Sequence, residues 1–257
     1  MAELLRFEFR KLLRSKVLYI CLGIALFLLI INAVTAKAMA EIMKEAMEEI
    51  GQPYESAYSG LSLMKSVFSN NTSVIEAVVI TIIVCEDFVG DVIKNIYSKG
   101  YSRSKVYFAK LIASAVAFNF IVIVGMIVSF ITGLILFNEV GSFGQNYVLS
   151  ILCIFLLADA YFAIYFALAM IFKKIAPSIV LGIIGPTAIT LLLAMADAFI
   201  DSDKIVLSDY WLQSQMSFNS LTDVENKTII TSIVISIIMI GAFISLSYFL
   251  NRKKDVK

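Results

Sequence analysis

The sequence of 257 residues contains no histidine, only three prolines and only three cysteines. Without histidine there can be no H-E-x-x-H zinc hydrolase, no Ser-His catalytic pair and no imidazole proton relay. Cys21, Cys85 and Cys153 are odd in number and widely separated, which is typical of neither a disulfide framework nor a metal-ligand motif. No G-x-x-x-x-G-K-[ST] segment is present, so the chain has no phosphate-binding loop of its own for a nucleotide.

Charged residues are also scarce. They make up 16% of the chain, while 60% of the residues are hydrophobic; soluble domains contain about 25% charged residues. A soluble core of this size cannot bury so much apolar surface. Several apolar runs are long enough to cross a hydrocarbon core of about 30 Å. The sequence therefore predicts an all-α membrane protein in which residues 1–257 form a single transmembrane domain.

Six apolar segments have about the length of a transmembrane helix. They are residues 17–35, 66–85, 106–137, 147–172, 177–200 and 229–250. The second contains the polar run Asn70-Asn71-Thr72-Ser73, which predicts a broken or late-starting helix. The first segment could alternatively be a cleaved signal peptide. The sixteen residues before its apolar run are many for a signal peptide, which favours an uncleaved span. We therefore expect six transmembrane helices.

The basic residues are distributed unevenly between alternate loops. If both termini are cytoplasmic, 16 of the 21 Lys and Arg residues lie in cytoplasmic segments. Because cytoplasmic loops are enriched in Lys and Arg, this distribution predicts that both termini are inside and that the number of spans is even. The net charge of +1 conceals the asymmetry. The charge pattern thus indicates membrane topology, and no nucleic-acid partner is expected.

Three segments outside the apolar runs have amphipathic or interfacial character. Residues 1–16 predict a helix along the inner leaflet, and residues 37–50 predict a helical continuation of the first span. Residues 201–228 mix aromatic with polar side chains, which predicts short extracellular helices that dip into the membrane. In the first segment the basic face contains Arg6, Arg10 and Arg14, and the apolar face contains Leu5, Phe9, Leu12 and Leu13.

Residues 86–99, between the second and third spans, show a further amphipathic pattern. The apolar positions are Phe88, Val89, Val92, Ile93, Ile96 and Tyr97, and the polar positions are Asp87, Asp91, Lys94, Asn95 and Ser98. Acidic residues near the start and basic residues near the end suit the helix dipole, and Gly100 favours termination. The pattern predicts a short cytoplasmic helix, attached to a span at each end. It is either a rigid lever that contacts a partner or a solvated loop helix.

These residues resemble a pattern found in the permeases of type-2 ABC (ABC-2) exporters. The resemblance is carried by Glu86, Gly90, Lys94 and Asn95, followed by Gly100, Ser102, Arg103 and Lys110. In that family the pattern forms a coupling helix that docks on an ATPase subunit. The family's Gly-Thr pair is Gly90-Asp91 here. In size, and in having no attached ATPase domain, the chain is similar to permeases of lantibiotic-type and phenol-soluble-modulin peptide exporters.

The resemblance implies a bacterial plasma-membrane permease with no catalytic residue, metal or cofactor of its own. ATP-Mg is expected on a partner ABC ATPase, and a second permease copy, identical or different, is expected to complete the assembly in membrane lipid. The implied ATPase-coupling residues are Glu86, Asp87, Gly90, Asp91, Lys94 and Asn95. The expected cargo is an amphipathic or antimicrobial-type peptide. The alternatives are an exporter of drugs, lipids or ions with the same fold, and a membrane scaffold or immunity protein that transports nothing.

Asp159 lies near the middle of the fourth predicted span. A carboxylate at that depth costs about 2.5–3.5 kcal/mol, so a functional role is the default hypothesis. It either forms a structural hydrogen bond, for which Asn119 offers a suitable side chain, or contacts a cationic substrate; both residues are assigned to a candidate substrate pathway. Asp159 and Asp197 also permit an intramembrane aspartyl protease, but the Gly-flanked Asp of such enzymes is absent.

Overall fold

The computed structural model describes residues 1–51, 58–68, 72–90, 92–200 and 206–253. Within these ranges the chain is helical, with short 3-10 segments at Ser66–Phe68 and Leu207–Tyr210 and no β-strand. The α-helices are α1 Ala2–Arg14, α2 Lys16–Glu49, α3 Gly60–Lys65, α4 Thr72–Val89, α5 Val92–Ser98, α6 Arg103–Phe137, α7 Tyr147–Phe172, α8 Ile175–Ile200, α9 Leu212–Ser220 and α10 Asn226–Lys253.

Five of these helices are long and apolar enough to cross a membrane: α2, α6, α7, α8 and α10. Their bounds lie within three residues of the predicted spans, except that α2 continues without a break to Glu49. The amphipathic continuation of the first span is therefore confirmed as helix. The predicted second span corresponds to α4, which is not among the five and carries Glu76, Glu86 and Asp87 within 18 residues.

Two predicted segments have different bounds in the structure. The predicted span 66–85 begins late, as the sequence predicts, because Ser66–Phe68 is a 3-10 turn and α4 starts at Thr72. The predicted helix 86–99 is divided, because residues 86–89 are the last turn of α4. The Gly90 amide still donates to the Glu86 carbonyl at 2.9 Å, and α5 begins afterwards. Residues 69–71 and 91 lie outside the described residues.

The helices form a bundle with two distinct ends. At the end that contains α5, which we call the α5 end, Lys173 lies 5.5 Å from the ring centroid of Phe88, and Arg103 donates to the Arg252 carbonyl at 3.4 Å. At the opposite end, which we call the α3 end, the Gly60 amide donates to the Glu139 carbonyl at 3.0 Å. The basic segments that the sequence assigns to one side of the membrane therefore come together at the α5 end.

Helix α7 occupies the centre of the bundle. Of its most apolar stretch, 67% is buried inside the chain, whereas the corresponding values for α8 and α10 are 11% and 17%. The α7 side chains Phe162 and Phe166 pack against Phe118 and Tyr107 of α6, each with ring centroids 5.4 Å apart. The centre of a single copy is thus filled with side chains, and long apolar faces of α8 and α10 are left uncovered.

Glycine allows α3 to pack directly against the end of α6. A Cβ atom built at Gly133 would lie 2.8 Å from the Gly60 Cα atom and 3.2 Å from the Ser59 carbonyl oxygen. Both of these are backbone atoms, which cannot move aside without shifting α3. The close contact of the two helices therefore depends on the missing side chain at Gly133.

Substitution of this glycine tests the contact. We expect Gly133→Ala to destabilise the purified protein by about 1–3 kcal/mol, because overpacking outweighs the gain in helix propensity. Gly241→Ala in α10 is the matched control, since a Cβ there would meet no atom within 4 Å. The control should be neutral or slightly stabilising in thermal unfolding in detergent. Equal effects of the two substitutions would contradict the proposed contact.

Candidate functional site

Helix α1 packs on the bundle through one face. Its buried residues are Leu4, Glu8 and Leu12, spaced four residues apart, while Leu13 is exposed. The buried face of α1 is therefore rotated about the helix axis from the predicted apolar face, which consists of Leu5, Phe9, Leu12 and Leu13. The reason is that the rest of the protein covers the stripe that includes Glu8. Leu4 packs with Ile96 of α5 and with Val106 and Ala109 of α6. Helix α1 thus connects α5 to the start of α6.

A cluster of five charged side chains lies where α1, α4 and α6 meet. The carboxylate of Asp87, in the last turn of α4, accepts hydrogen bonds from the ammonium groups of Lys11 and Lys110. Lys110 also lies 3.4 Å from Glu8, and Lys11 lies 3.3 Å from Glu86. We call these five residues the charge cluster. Its two cations and three carboxylates come from three helices, so each helix end is fixed relative to the others.

The charge cluster is largely shielded from solvent. Asp87 and Lys110 are each 2% exposed and Glu8 is 4% exposed, whereas the Glu86 side chain remains 55% exposed. Burial acts to lower the pKa of Lys11, but the hydrogen bond to Asp87 and the negative charges of Asp87 and Glu86 outweigh burial and raise that pKa. Buried charges of this kind are tolerated only when each has a close partner. Asp87 is the carboxylate that contacts both lysines.

Helix α5 has one buried face and one exposed face. Ile93 and Ile96 are buried, and Lys94, Asn95 and Ser98 are exposed, as the amphipathic pattern predicts. Asp87 and Val89 depart from the pattern, since Asp87 is buried and Val89 is 64% exposed. The reason is that both belong to the end of α4 and follow the rotation of that helix. Gly90 is exposed, and Asp91 lies outside the residues that the structure describes.

A family model described as "ABC-2 family transporter protein" matches residues 4–189, from α1 into α8. The chain belongs to this family. No curated protein and no solved structure matches it. The match and the five long apolar helices make the chain a multi-pass membrane protein and a transmembrane permease of an ABC exporter. Permeases of this family act with an ABC ATPase as their partner, and the ATP is hydrolysed on that partner.

The permease brings the two predicted substrate-pathway residues together. The Asn119 amide in α6 donates a hydrogen bond to the Asp159 carboxylate in α7 at 2.9 Å, and it donates another to the Ala115 carbonyl at 3.1 Å. Asp159 is partly exposed. The Tyr161 hydroxyl, also in α7, donates a hydrogen bond to the Gln213 side-chain carbonyl at 3.2 Å. The structural hydrogen bond expected of Asp159 is thus present, with Asn119 as its donor.

Asp197 has a different environment from that of Asp159. Its two carboxylate oxygens accept hydrogen bonds from the backbone amides of Leu207 and Ser208, at 2.6 and 2.9 Å. It therefore caps the 3-10 turn Leu207–Tyr210, in the segment predicted to dip into the membrane. Asp159 and Asp197 have separate partners, so the geometry gives no support to a protease with paired aspartates.

Sequence reasoning missed two members of the charge cluster. Lys11 was interpreted only as a topology signal, and Glu8 was not singled out. The available signal was the four-residue spacing of Leu4, Glu8 and Leu12, which places an acid within an apolar stripe. A carboxylate in such a position requires a buried cation opposite it, and Lys110 of α6 supplies that cation.

Neutralising Asp87 tests whether the charge cluster holds the helices together. We expect Asp87→Asn to destabilise the permease by about 3–5 kcal/mol, because Lys11 and Lys110 lose their shared carboxylate while remaining partly or fully buried. Glu86→Gln is the matched control and should cost about 1 kcal/mol or less, since that side chain is largely exposed. Thermal unfolding of the purified variants measures both. An Asp87→Asn variant as stable as wild type would contradict the structural role of the cluster.

Proposed function

We propose that this permease exports amphipathic cationic peptides, using energy that an ABC ATPase delivers to α5. In the proposal α4 is a sixth span, both termini are cytoplasmic and α5 is the coupling helix. The observation that carries the proposal is the charge cluster, because it joins the helix leading into α5 to both α1 and α6. The ATPase-coupling roles of Glu86, Asp87, Gly90, Asp91, Lys94 and Asn95 belong to this proposal.

The topology is supported by the contacts at the two ends of the bundle. The α5 end gathers α1, residues 86–90 and 92–103, the turn between α7 and α8, and the end of α10. These segments contain more than half of the Lys and Arg residues of the chain, and the basic side of a membrane protein is the cytoplasmic one. Helix α4 leads from the α3 end to this end, as a sixth crossing requires.

The transfer of motion follows from the way α5 is attached. Its buried residue Ile96 packs with Leu4 of α1 and with Val106 of α6. The last turn of α4, which precedes α5, is bound to Lys11 and Lys110 through Asp87. A displacement of α5 therefore has to move α1, the end of α4 and the start of α6 together. The exposed face with Lys94 and Asn95 is left to contact the ATPase.

A second permease copy belongs to the proposal because, among the described residues, the centre of one copy is filled with packed side chains. Helix α7 packs against α4, α6, α8, α9 and α10, while apolar residues of α8 such as Val180, Leu191 and Leu192 remain exposed. We propose that two copies form the translocation path between them, and that ATP binding and hydrolysis shift it between inward-open and outward-open states. A partly exposed carboxylate at Asp159 suits a cationic cargo.

Site-directed labelling tests the orientation and the docking face together. The native cysteines are first replaced by alanine, and a single cysteine is then introduced as Lys94→Cys or Asn95→Cys. In intact cells we expect a membrane-impermeant maleimide to leave both positions unlabelled, because α5 is cytoplasmic. In native membranes, a short bifunctional cross-linker at either position should capture the ABC ATPase.

The matched control is Lys44→Cys, on the exposed distal part of α2. It should be labelled from outside and should capture no ATPase. External labelling at position 94 or 95 would overturn the orientation. A solitary permease that never cross-links to an ATPase at either position would favour the scaffold alternative over a transporter.

Replacing Asp159 tests the cargo. We expect Asp159→Asn to slow the export of a cationic amphipathic peptide about tenfold, because a charge-assisted contact worth about 1.5 kcal/mol is lost. Transport into inverted membrane vesicles containing the permease and its ATPase measures the rate. A peptide of equal length with glutamine in place of lysine is the control, and its rate should not depend on the substitution. If the wild type and the Asp159→Asn variant export the cationic peptide at equal rates, substrate contact at Asp159 is ruled out.

A further inference from the structure

A polar cavity of about 190 Å³ lies at the α3 end of the bundle, far from α5. It is bounded by α3, the loop after α6, the start of α7 and the residues that follow α9. Among the residues that line it are Lys65, Glu139, Ser142, Tyr147 and Thr222. A water molecule occupies about 30 Å³ in the liquid, so the cavity has room for a group of several heavy atoms together with water.

Lys65 is the cationic residue of this cavity, and it is only 3% exposed. Its ammonium group donates one hydrogen bond to the Leu221 carbonyl at 2.8 Å and lies 4.6 Å from the centroid of the Tyr147 ring. The carbonyl follows the C-terminus of α9, where a cation is favourable. That bond accounts for one of the three N–H donors of the ammonium group.

No carboxylate neutralises Lys65 at contact distance within the described ranges. The charge of Asp223 acts on it only from further away, and the Asp223 Oδ1 atom already accepts a hydrogen bond from the backbone N–H of Gln145 at 2.9 Å. Burial lowers the pKa of Lys65, and Asp223 only partly opposes that effect. A buried ammonium group with one neutral acceptor is costly, so the cavity favours an anion beside it.

The neighbouring side chains add further hydrogen-bond donors. The hydroxyl groups of Ser142 and Thr222 belong to residues that line the cavity. The Tyr147 hydroxyl is buried and has no hydrogen-bond partner in the described part of the chain. A cavity lined by one cation and several hydroxyl-bearing residues matches a ligand with several strong acceptor oxygens, which is the chemistry of a phosphate group. Glu139 also lines the cavity, and its negative charge weakens the binding of an anion.

We propose that this cavity binds a phosphate group, with Lys65 as its cationic contact. The phosphate comes either from a phospholipid headgroup or from free phosphate, and the two sources share the chemistry that the cavity recognises. The site lies at the end of the bundle opposite to α5, and its existence does not depend on the ATPase or on the cargo of the permease.

Thermal unfolding of the full-length protein in a phosphate-free maltoside detergent provides the first test. Sodium phosphate should stabilise the wild type relative to sodium chloride at equal ionic strength. Lys65→Gln should weaken the apparent affinity about tenfold or more, since a charge-assisted contact is removed. Lys44→Gln, on the exposed part of α2, should behave as wild type.

Glu139→Gln provides a second variant, and it does not disturb the buried lysine. We expect it to strengthen phosphate binding about threefold, because it removes a partly screened repulsion. If Lys65→Gln does not fold, this variant decides the question. The proposal is overturned if Glu139→Gln leaves the apparent affinity for phosphate unchanged. It is also overturned if phosphate does not stabilise the wild type and the Lys65→Gln variant retains bound phospholipid as well as the wild type does.

Native mass spectrometry then distinguishes the two sources. The permease is extracted with phosphatidylethanolamine present and compared with the Lys65→Gln variant. A phospholipid that is retained only when Lys65 is present supports a lipid headgroup as the ligand. Stabilisation by inorganic phosphate, without retained phospholipid, supports a soluble phosphate compound. Both outcomes support the site, and retention that is independent of Lys65 counts against the lipid source.

Discussion

The contact of Asp87 with Lys11 and Lys110 is the interaction on which the α5 end of the permease depends. Charges so little exposed to solvent are stable only as a connected set, and the set draws its members from α1, α4 and α6. The three helices therefore cannot separate at this end without leaving an ion unpaired. Helix α5 connects α4 to α6 in the chain, so its position is set by the ends of those two helices. A short helix without internal stability of its own is in this way held rigidly.

The same helix α6 extends from this contact to the opposite end of the bundle. It contains 35 residues, which corresponds to about 52 Å at 1.5 Å per residue. Its first turns contribute Lys110 to the charge cluster, and its last turns hold α3 through the close approach at Gly133. The phosphate site that we propose lies just beyond, between α3 and the start of α7. In our proposal motion is delivered at α5, and α6 gives it a continuous covalent path to the far side of the bundle.

Much of the fold could be predicted because hydrophobic length is a property of the sequence alone. A segment of about twenty apolar residues has to be helical in a membrane, since each backbone polar group must find a partner within the segment. For this reason the bounds of α6, α7, α8 and α10 lie close to the predicted ones. The polar run at 70–73 predicted the late start of the second segment. The end of α4 at Val89 was not predicted, because residues 86–99 follow a single amphipathic pattern in the sequence. Helical periodicity likewise predicted the buried and exposed faces of α5 at Ile93, Lys94 and Ile96.

Part of each candidate site could be predicted from the sequence and part could not. The pattern of acid, glycine, lysine and asparagine at 86–95 was sufficient to indicate the family, and the family model that matches residues 4–189 confirms it. The proximity of Asn119 to Asp159 was suggested by residue type and depth. The burial of Asp87, its two lysine partners and the position of Lys65 over Tyr147 had no such signal, because they join residues that are 23 to 82 positions apart.

The amino-acid sequence by itself determined that the chain is helical, enters the membrane several times and places its basic residues in alternate loops. Apolar run length and charge distribution act locally along the chain, so they can be read without knowing how the helices pack. Only the tertiary structure decided which charges are buried and which partner each one has. Burial and pairing depend on the rotation of one helix against another, and a shift of a single residue turns a side chain by about 100°.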